Sequence, residues 1–538
     1  MPKLPVGRSI AMAEPRHIER DGWATNTQLN RIRERKAWAN NLLGAEAFTA
    51  DGTKRITIIG AGIAGLVAAY ELEQLGHHVE VLEGSRRIGG RIHTHRFGSG
   101  PAAPLIELGA MRIPTEHRNT MRYITKLGLT DKVRDFSTLF AEGGNYYTTS
   151  AGHLRVREAA KAMVEDLRRS LPDKRYSDDT FLFGAWLMAI GNAIAPAEFR
   201  KSLRDDFSLE LLDLVDRVDL APFIRGSARD HIDLHAFFAA HPEVRSSRHG
   251  HLNRFIDDIL SETSPELVRL EGGMDQLVRR LTKRIRGPIM CGQEVVGLDI
   301  REDDILVDIR ESDRIITKRC DYVLCTIPFS ILRRMWLTGL SEAKMAVIHK
   351  VKYWSATKVA LHCREAFWER DGISGGASFC GGHIRQTYYP PVESDPAGGA
   401  ALLASYTIGD DADVLGCMPT AMRHAVVLQE LGKMHPELLY PGMVVDAVSL
   451  AWGQNWWSEG AGTVRWGKDA ATSEEERVQA ARPENRLFFA GEHCSSTPAW
   501  IDGAIESAVN AVCEIQLHKP RPRLVPATGR QVAEGICG

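Results

Sequence analysis

The chain has 538 residues, 44% of them hydrophobic and 25% charged, and its 67 Lys and Arg nearly balance its 69 Asp and Glu. That length exceeds one compact core and asks for two or three domains, and the composition is that of a globular protein. The near-zero balance excludes a polyanion-seeking surface, so neither a nucleic acid nor an anionic membrane is an expected partner, and a small molecule is the default ligand.

Residues 1–52 read as an N-terminal helical extension, with the Arg- and Glu-rich run from Asn26 to Asn41 as a solvated helix. It holds no apolar stretch fit for a signal peptide. The nine cysteines are scattered, with no CxxC or metal-type cluster, so the expectation is a cytoplasmic protein with free thiols and no metal; Cys320 and Cys325 fall in an expected strand and read as core.

From Arg55 to Arg91 the chain carries a complete dinucleotide-binding unit. The β-branched run Ile56 to Ile59 predicts a short buried strand, Gly60-Ala61-Gly62-Ile63-Ala64-Gly65 is a GxGxxG turn, and Leu66 to Leu75 predicts a helix stopped at Gly76. His78 to Leu82 predicts a second strand, ended by Glu83, eighteen residues after Gly65, where a carboxylate accepts hydrogen bonds from a ribose. Gly60 permits the tight turn, Gly62 lets a pyrophosphate approach the backbone, and Gly65 lets helix and strand pack closely, with the phosphates on the positive helix end. A second glycine signal follows at Gly89-Gly90-Arg91, and the combination points to FAD over a nicotinamide cofactor. Ile56 to Leu72 is the longest apolar stretch, but its three glycines and its reading as strand, turn and helix exclude a membrane span.

After the segment Glu107-Leu108-Gly109-Ala110-Met111-Arg112-Ile113-Pro114, the pattern from Arg155 to about Leu260 turns helical and charge-rich, as an inserted domain would. Strands are expected at Val295 to Leu298, Asp304 to Ile309 and Asp321 to Thr326, before the break at Pro328. Lys352 to Leu450 alternates strands with Gly/Pro-rich loops and suits an antiparallel sheet, Arg486 to Ala490 is another buried strand, and a helix contains Ala504 to Val512. The fold class is therefore α/β: a Rossmann-like nucleotide domain (53–113, 262–330 and 470–518), an antiparallel-sheet substrate domain (114–154 and 331–469), a helical domain (155–261) and a mobile tail (519–538).

Two blocks identify a family resemblance. Glu83, then Arg87-Ile88-Gly89-Gly90-Arg91 with Thr94, and the late block Phe488-Phe489-Ala490-Gly491-Glu492 with Ala499-Trp500-Ile501-Asp502-Gly503-Ala504 resemble the flavin-containing amine oxidase superfamily, most closely its L-amino-acid oxidase branch. The similarity runs from about Lys54 to Val512. It implies the amine oxidase type of FAD fold, non-covalent FAD, and a homodimer or higher homo-oligomer. Gly60, Ala61, Gly62, Ala64, Gly65, Glu83, Gly84, Gly90 and Arg91 would hold the adenosine and pyrophosphate, with Val295 as a backbone contact to adenine. Gly109, Ala110, Met111, Arg112, Glu492, Trp500, Ile501 and Ala504 would follow along the rest of the cofactor, the Trp500-Ile501 amides facing the flavin ring.

The substrate class rests on Arg112, which matches the carboxylate-binding arginine of the branch; a planar fork fixes a carboxylate through two parallel hydrogen bonds. Tyr406 matches the tyrosine that donates a further bond to that carboxylate. Lys358 matches the lysine that holds a water near flavin N5, and the alternation in TKVAL equally fits a solvent-facing strand residue. Trp452, Ala499 and Trp500 resemble pocket residues beside the flavin. Gly462 stands where relatives carry a bulky aliphatic residue, so the expectation is an enlarged pocket that admits long or aromatic side chains. Asp257, Asp258 or Glu262 could recognise a basic one, and no histidine in the Phe255–Ser261 stretch offers to take the amine proton. The implied reaction converts an L-amino acid and O2 into a 2-oxo acid, ammonia and hydrogen peroxide. An amine or polyamine oxidase, an L-amino-acid 2-monooxygenase and a flavin-binding protein without turnover remain the alternatives.

Overall fold

Continuous burial of the β-branched run from Ile56 to Ile59 places Arg55–Ile59 (β1) at the centre of a parallel sheet, as a strand covered on both faces requires. In this computed structural model, the residues described are 52–100, 103–137, 144–155, 267–393, 398–464 and 470–518, with isolated positions between 158 and 240. The expected N-terminal extension, the tail and most of the helical insertion, including Asp257, Asp258 and Glu262, lie outside them. The described residues belong to one compact unit, 47–538.

β1 leads through the glycine turn into helix α1 (Ile63–Gln74) and then strand β2 (His78–Glu83), so the predicted strand, helix, strand order holds. Strands β3 (Ile289–Cys291) and β4 (Tyr322–Cys325) flank the pair, and Leu487–Phe489 adds to β4; the order is β3-β2-β1-β4 and then the late strand, all parallel. α1 is buried nearly all round, as a helix between a sheet and another helix must be. Its two buried acids are satisfied: Glu71 accepts from Tyr123 Oη and Lys126 Nζ, and Glu73 from the backbone of Arg286 and Gly287. Cys320 and Cys325 are buried in this half, and the eight described cysteines are all free thiols.

Beside this sheet lies a smaller one, in which Glu294–Ile300 pairs with Ile305–Glu311 and that strand with Arg314–Cys320. Trp336–Thr338 pairs with Gly297–Asp299 in the same sheet, and Val347, Ile348 and Val351 pack into the same core. The expected boundary at 330/331 therefore falls inside a packed unit. Among the described residues, Trp336–Thr338 and the Val347 to Val351 segment thus pack with the nucleotide half.

The second half is built on a seven-stranded sheet. Strand β5 (Ala356–Cys363) lies between β7 (Ala400–Ile408) and β8 (Val444–Ala451), and β6 (Arg385–Tyr388) pairs with β7; these pairings are antiparallel, as expected for the substrate domain. A parallel bridge between Phe379 and Tyr147 makes the sheet mixed. Helix α2 (Ile501–Leu517) returns to pack on α1. No helix among the described residues is long and apolar enough to cross a membrane.

Candidate active site

The glycine turn is built for close approach. Gly60 has φ 103°, and a Cβ on Gly65 would collide with the Gly60 carbonyl. Thr326, at the end of β4, donates its hydroxyl to the carbonyls of Ile59 and Gly60 (2.8 and 3.1 Å), a support absent from the motif itself. α1 has no side-chain N-cap, so its positive end opens on a cavity of about 520 Å3. Gly60, Gly62, Ala64, Glu83, Gly84, Gly90 and Arg91 line that cavity from one motif, and Glu492, Ala499, Trp500, Ile501 and Ala504 from the other. Ala110, Val295 and Trp452 complete the predicted residues found there.

Ala61 and Gly65 stand behind the lining: the Ala61 N–H donates to Glu83 Oε2 (2.8 Å), and the Ser85 N–H to Glu83 Oε1 (2.9 Å). These bonds orient the carboxylate and leave lone pairs for a sugar hydroxyl. At Val295 the ladder with Ile309 slips, so Val296 is an extra, bulged residue. The bulge leaves Val296 without a ladder partner, and both Val295 and Val296 line the cavity.

Arg91 and Glu492 meet: Arg91 Nη1 lies 2.9 Å from Glu492 Oε1 and donates also to the Ala461 carbonyl. Burial pushes the Glu492 carboxyl up, but Arg91, His493 and bonds from Ala499 N–H and Thr463 outweigh it and hold the group at about 2. Ala499 adopts a left-handed φ of 65°, a strained conformation for alanine held in place by its bond to Glu492.

In the second sheet Lys358 is 3% exposed, so the solvent-facing alternative is excluded; neither it nor Tyr406 lines the cofactor cavity. Both faces of β5 are covered there, and Nζ donates to the carbonyls of Gly109 (2.7 Å) and Glu107 (3.1 Å) and touches Met111 Sδ (3.4 Å). Its cross-strand partner is Tyr406, whose ring centre lies 4.7 Å from the ammonium. Trp452 pins the same loop by donating Nε1 to the Leu108 carbonyl (2.8 Å). Arg112, 8% exposed, follows directly: its Nη1 donates to Tyr388 Oη (3.0 Å), and its guanidinium faces the Phe136 ring at 6.0 Å. Tyr388 in turn donates to Gln386 Oε1 (3.3 Å) and lies 6.4 Å from the Tyr406 ring.

Four further expected site residues lie off the cofactor lining. Of the stretch Gly109 to Arg112, Ala110 lines the cofactor cavity, whereas Gly109 packs under the Arg91 backbone and Met111 faces a second cavity of about 260 Å3; Arg112 also lies off the cofactor lining. Gly462 pairs with Trp354 and leaves no void: a Cβ there would sit 2.6 Å from Ala499 Cβ and 2.9 Å from Trp354 Nε1. A side chain at 462 would have to displace Trp354 or Ala499, and Gly462 lines neither cavity. Tyr388 was not anticipated, because a Tyr-Tyr pair before Pro390-Pro391 reads as an ordinary strand end. Glu107 was also missed as a titrating group: burial pushes it up to about 7, offset in part by the Met274 N–H and the Thr94 hydroxyl.

A dinucleotide cradle on a parallel sheet, beside a mostly antiparallel sheet that carries the buried Lys358 and Tyr406, has the architecture of a flavoprotein. The sequence profile of the flavin containing amine oxidoreductase family matches residues 63–516, and the chain belongs to that family. It is 66% identical over 465 residues to the flavin-dependent L-tryptophan oxidase RebO of Lentzea aerocolonigenes, covering 86% of this chain and 98% of the relative. The putative L-amino-acid oxidase YobN of Bacillus subtilis (strain 168) is 28% identical, with 86% and 94% covered, and an L-amino-acid oxidase of Pseudechis australis 26%, with 87% and 88%. Among solved structures, wild-type putrescine oxidase bound to putrescine superposes with a TM-score of 0.55 at 19% identity, covering 86% of this chain and 99% of that one; it shares the fold.

Proposed function

We propose that the chain is an FAD-dependent L-amino-acid oxidase that converts an aromatic L-amino acid, with tryptophan as the first candidate, into its 2-oxo acid, ammonia and hydrogen peroxide. The observation that carries the reading is the buried Arg112 held between Tyr388 and Phe136 on the loop that Lys358 anchors. A guanidinium kept rigid in an apolar setting suits a carboxylate, and a simple amine would have no use for it. The 66% identity to an L-tryptophan oxidase supports the indole side chain.

The cradle fits FAD: glycines where a Cβ would collide, an uncapped helix end for the pyrophosphate and a carboxylate for the ribose. When bound there, FAD supplies the acceptor for the α-hydrogen as hydride and the route of its electrons to O2. The protein supplies orientation. Arg112, held by Tyr388 and with Tyr406 as the further donor, would fix the substrate carboxylate so that one Cα–H is presented to the cofactor, which selects the L-enantiomer. Lys358 holds the Glu107 to Met111 backbone from which Arg112 projects. Its contact with the Met111 thioether is to a weak acceptor. The amine must be neutral before hydride leaves.

Anaerobic bleaching of the flavin against L- and D-amino acids and amines tests the assignment. Bleaching by L-tryptophan and other aromatic L-amino acids, without bleaching by D-isomers or tryptamine, is expected. Bleaching by tryptamine at comparable concentration would replace the reading with an amine oxidase. Formation of amide and CO2 in air would replace it with a monooxygenase.

A further inference from the structure

Beyond Trp452 the chain folds into a compact turn that the nucleotide motif does not require. The Trp457 N–H donates to Asn455 Oδ1 (3.0 Å), and Ser330 Oγ donates to the Ser458 carbonyl (2.7 Å). Arg334 donates to the Trp456 carbonyl (2.7 Å) and to Glu459 Oε1 (2.8 Å), with its guanidinium 4.0 Å from the centre of the Trp456 ring. Trp456 Nε1 reaches Glu294 Oε1 (3.4 Å), the neighbour of Val295. These bonds fix the turn and the Trp456 ring, and Trp457 follows on the same turn, yet Trp456 is 56% and Trp457 38% exposed. Large aromatic surfaces that are fixed but uncovered mark a place where something docks.

Their position names the occupant. Trp456 and Trp457 line the cofactor cavity together with Glu83, Gly84 and Val295, the residues of its adenosine end. Trp457 lies directly on Gly84, where a Cβ would run into the indole ring. Glu83 has acceptors for a ribose and the bulge at Val296 leaves unpaired backbone at the cavity, but neither is a flat apolar surface for a base. We propose that Trp457, with Trp456 at the rim braced by Arg334, stacks on the adenine ring of FAD, so that the cofactor itself covers the indoles. A flat ring on a flat ring excludes water from both and is indifferent to what the flavin end is doing. The inference rests on FAD as the cofactor.

The test separates the two halves of the cofactor. The full-length protein is deflavinated, and FAD, ADP and flavin mononucleotide are titrated into it by fluorescence, for the wild type, Trp457→Ala and Trp457→Phe. Loss of a base-stacking partner should weaken FAD and ADP about 5- to 150-fold in Trp457→Ala. Flavin mononucleotide, which lacks adenosine, should bind all three proteins alike, and Trp457→Phe should restore most of the FAD affinity. Unchanged FAD affinity in Trp457→Ala would overturn the proposal, as would an equal loss for flavin mononucleotide, which would mean that the indole supports the fold or the flavin ring. Failure of the wild type to bind FAD at all would instead remove the cofactor assignment beneath it.

Discussion

Arg91 and Glu492, 401 residues apart in sequence, form an ion pair with 2.9 Å between Nη1 and Oε1. The pair ties the loop after the first glycine motif to the start of the last one, and it brings Ala461 and Ala499 with it. Both partners line the cofactor cavity, so the ionic contact is part of the cradle, not a distant surface bridge.

Breaking this pair should be costly. Arg91→Met leaves Glu492, whose side chain is 5% exposed, as an uncompensated buried charge, and about 3 kcal/mol of stability should be lost in urea unfolding, with weaker FAD retention. The linkage has a definite sign. Glu492 titrates at about 2 in the folded protein against an ordinary 4.5, so its contribution is complete above 4.5 and is lost as pH falls toward 2. Glu492→Gln should flatten the acid limb of the unfolding profile in that window; an unchanged profile would place the acid sensitivity elsewhere.

Arg112→Lys should raise KM for aromatic L-amino acids roughly 100-fold, about 3 kcal/mol, because a point ammonium cannot reproduce the bidentate fork. Tyr388→Phe removes only the hydroxyl that receives Arg112 Nη1, a single neutral partner worth about 1 kcal/mol, so KM should rise roughly fivefold with kcat kept. Steady-state kinetics that show kcat falling and KM unchanged in Tyr388→Phe would contradict its role in positioning Arg112.

Gly462→Ile should damage activity on every substrate. The new side chain meets Ala499 Cα at 3.1 Å and Trp354 Nε1 at 2.9 Å, and Ala499 is held in a left-handed conformation beside the cofactor cavity. Relative kcat/KM for alanine, leucine and tryptophan as their L-isomers decides it: uniform loss is expected, whereas loss confined to tryptophan would show that position 462 bounds only the side-chain pocket.

Glu107 supplies a second pH signature. Its folded value of about 7 lies above the ordinary 4.5, so its contribution is complete below 4.5 and is lost as pH rises through 7. Glu107→Gln keeps the acceptor for Met274 N–H and removes the titration. The melting temperature of the variant should change less than that of the wild type between pH 5 and 8. Parallel curves would assign the alkaline destabilisation to another group.

Read without coordinates, the chain declares its nucleotide half almost completely. The order of strand, glycine turn, helix and strand from Arg55 to Glu83, and the late Gly491-Glu492 block, rest on local chemistry: β-branched runs, positive φ at Gly60 and a carboxylate at a strand end. Such features depend on neighbours within a few residues and are written in sequence. What only the folded chain decided are relations across hundreds of residues. Whether Lys358 meets solvent or the Gly109 carbonyl depends on which layer covers the second face of β5. Whether Gly462 opens a pocket depends on Trp354 and Ala499, which come from two other segments. The break between halves near residue 351 depends on where Trp336 finds a partner strand, and Tyr388 acquires its role from an arginine 276 residues away. Periodicity and turn chemistry specify elements; packing and long-range pairing, which no window of sequence contains, assign each side chain its neighbour.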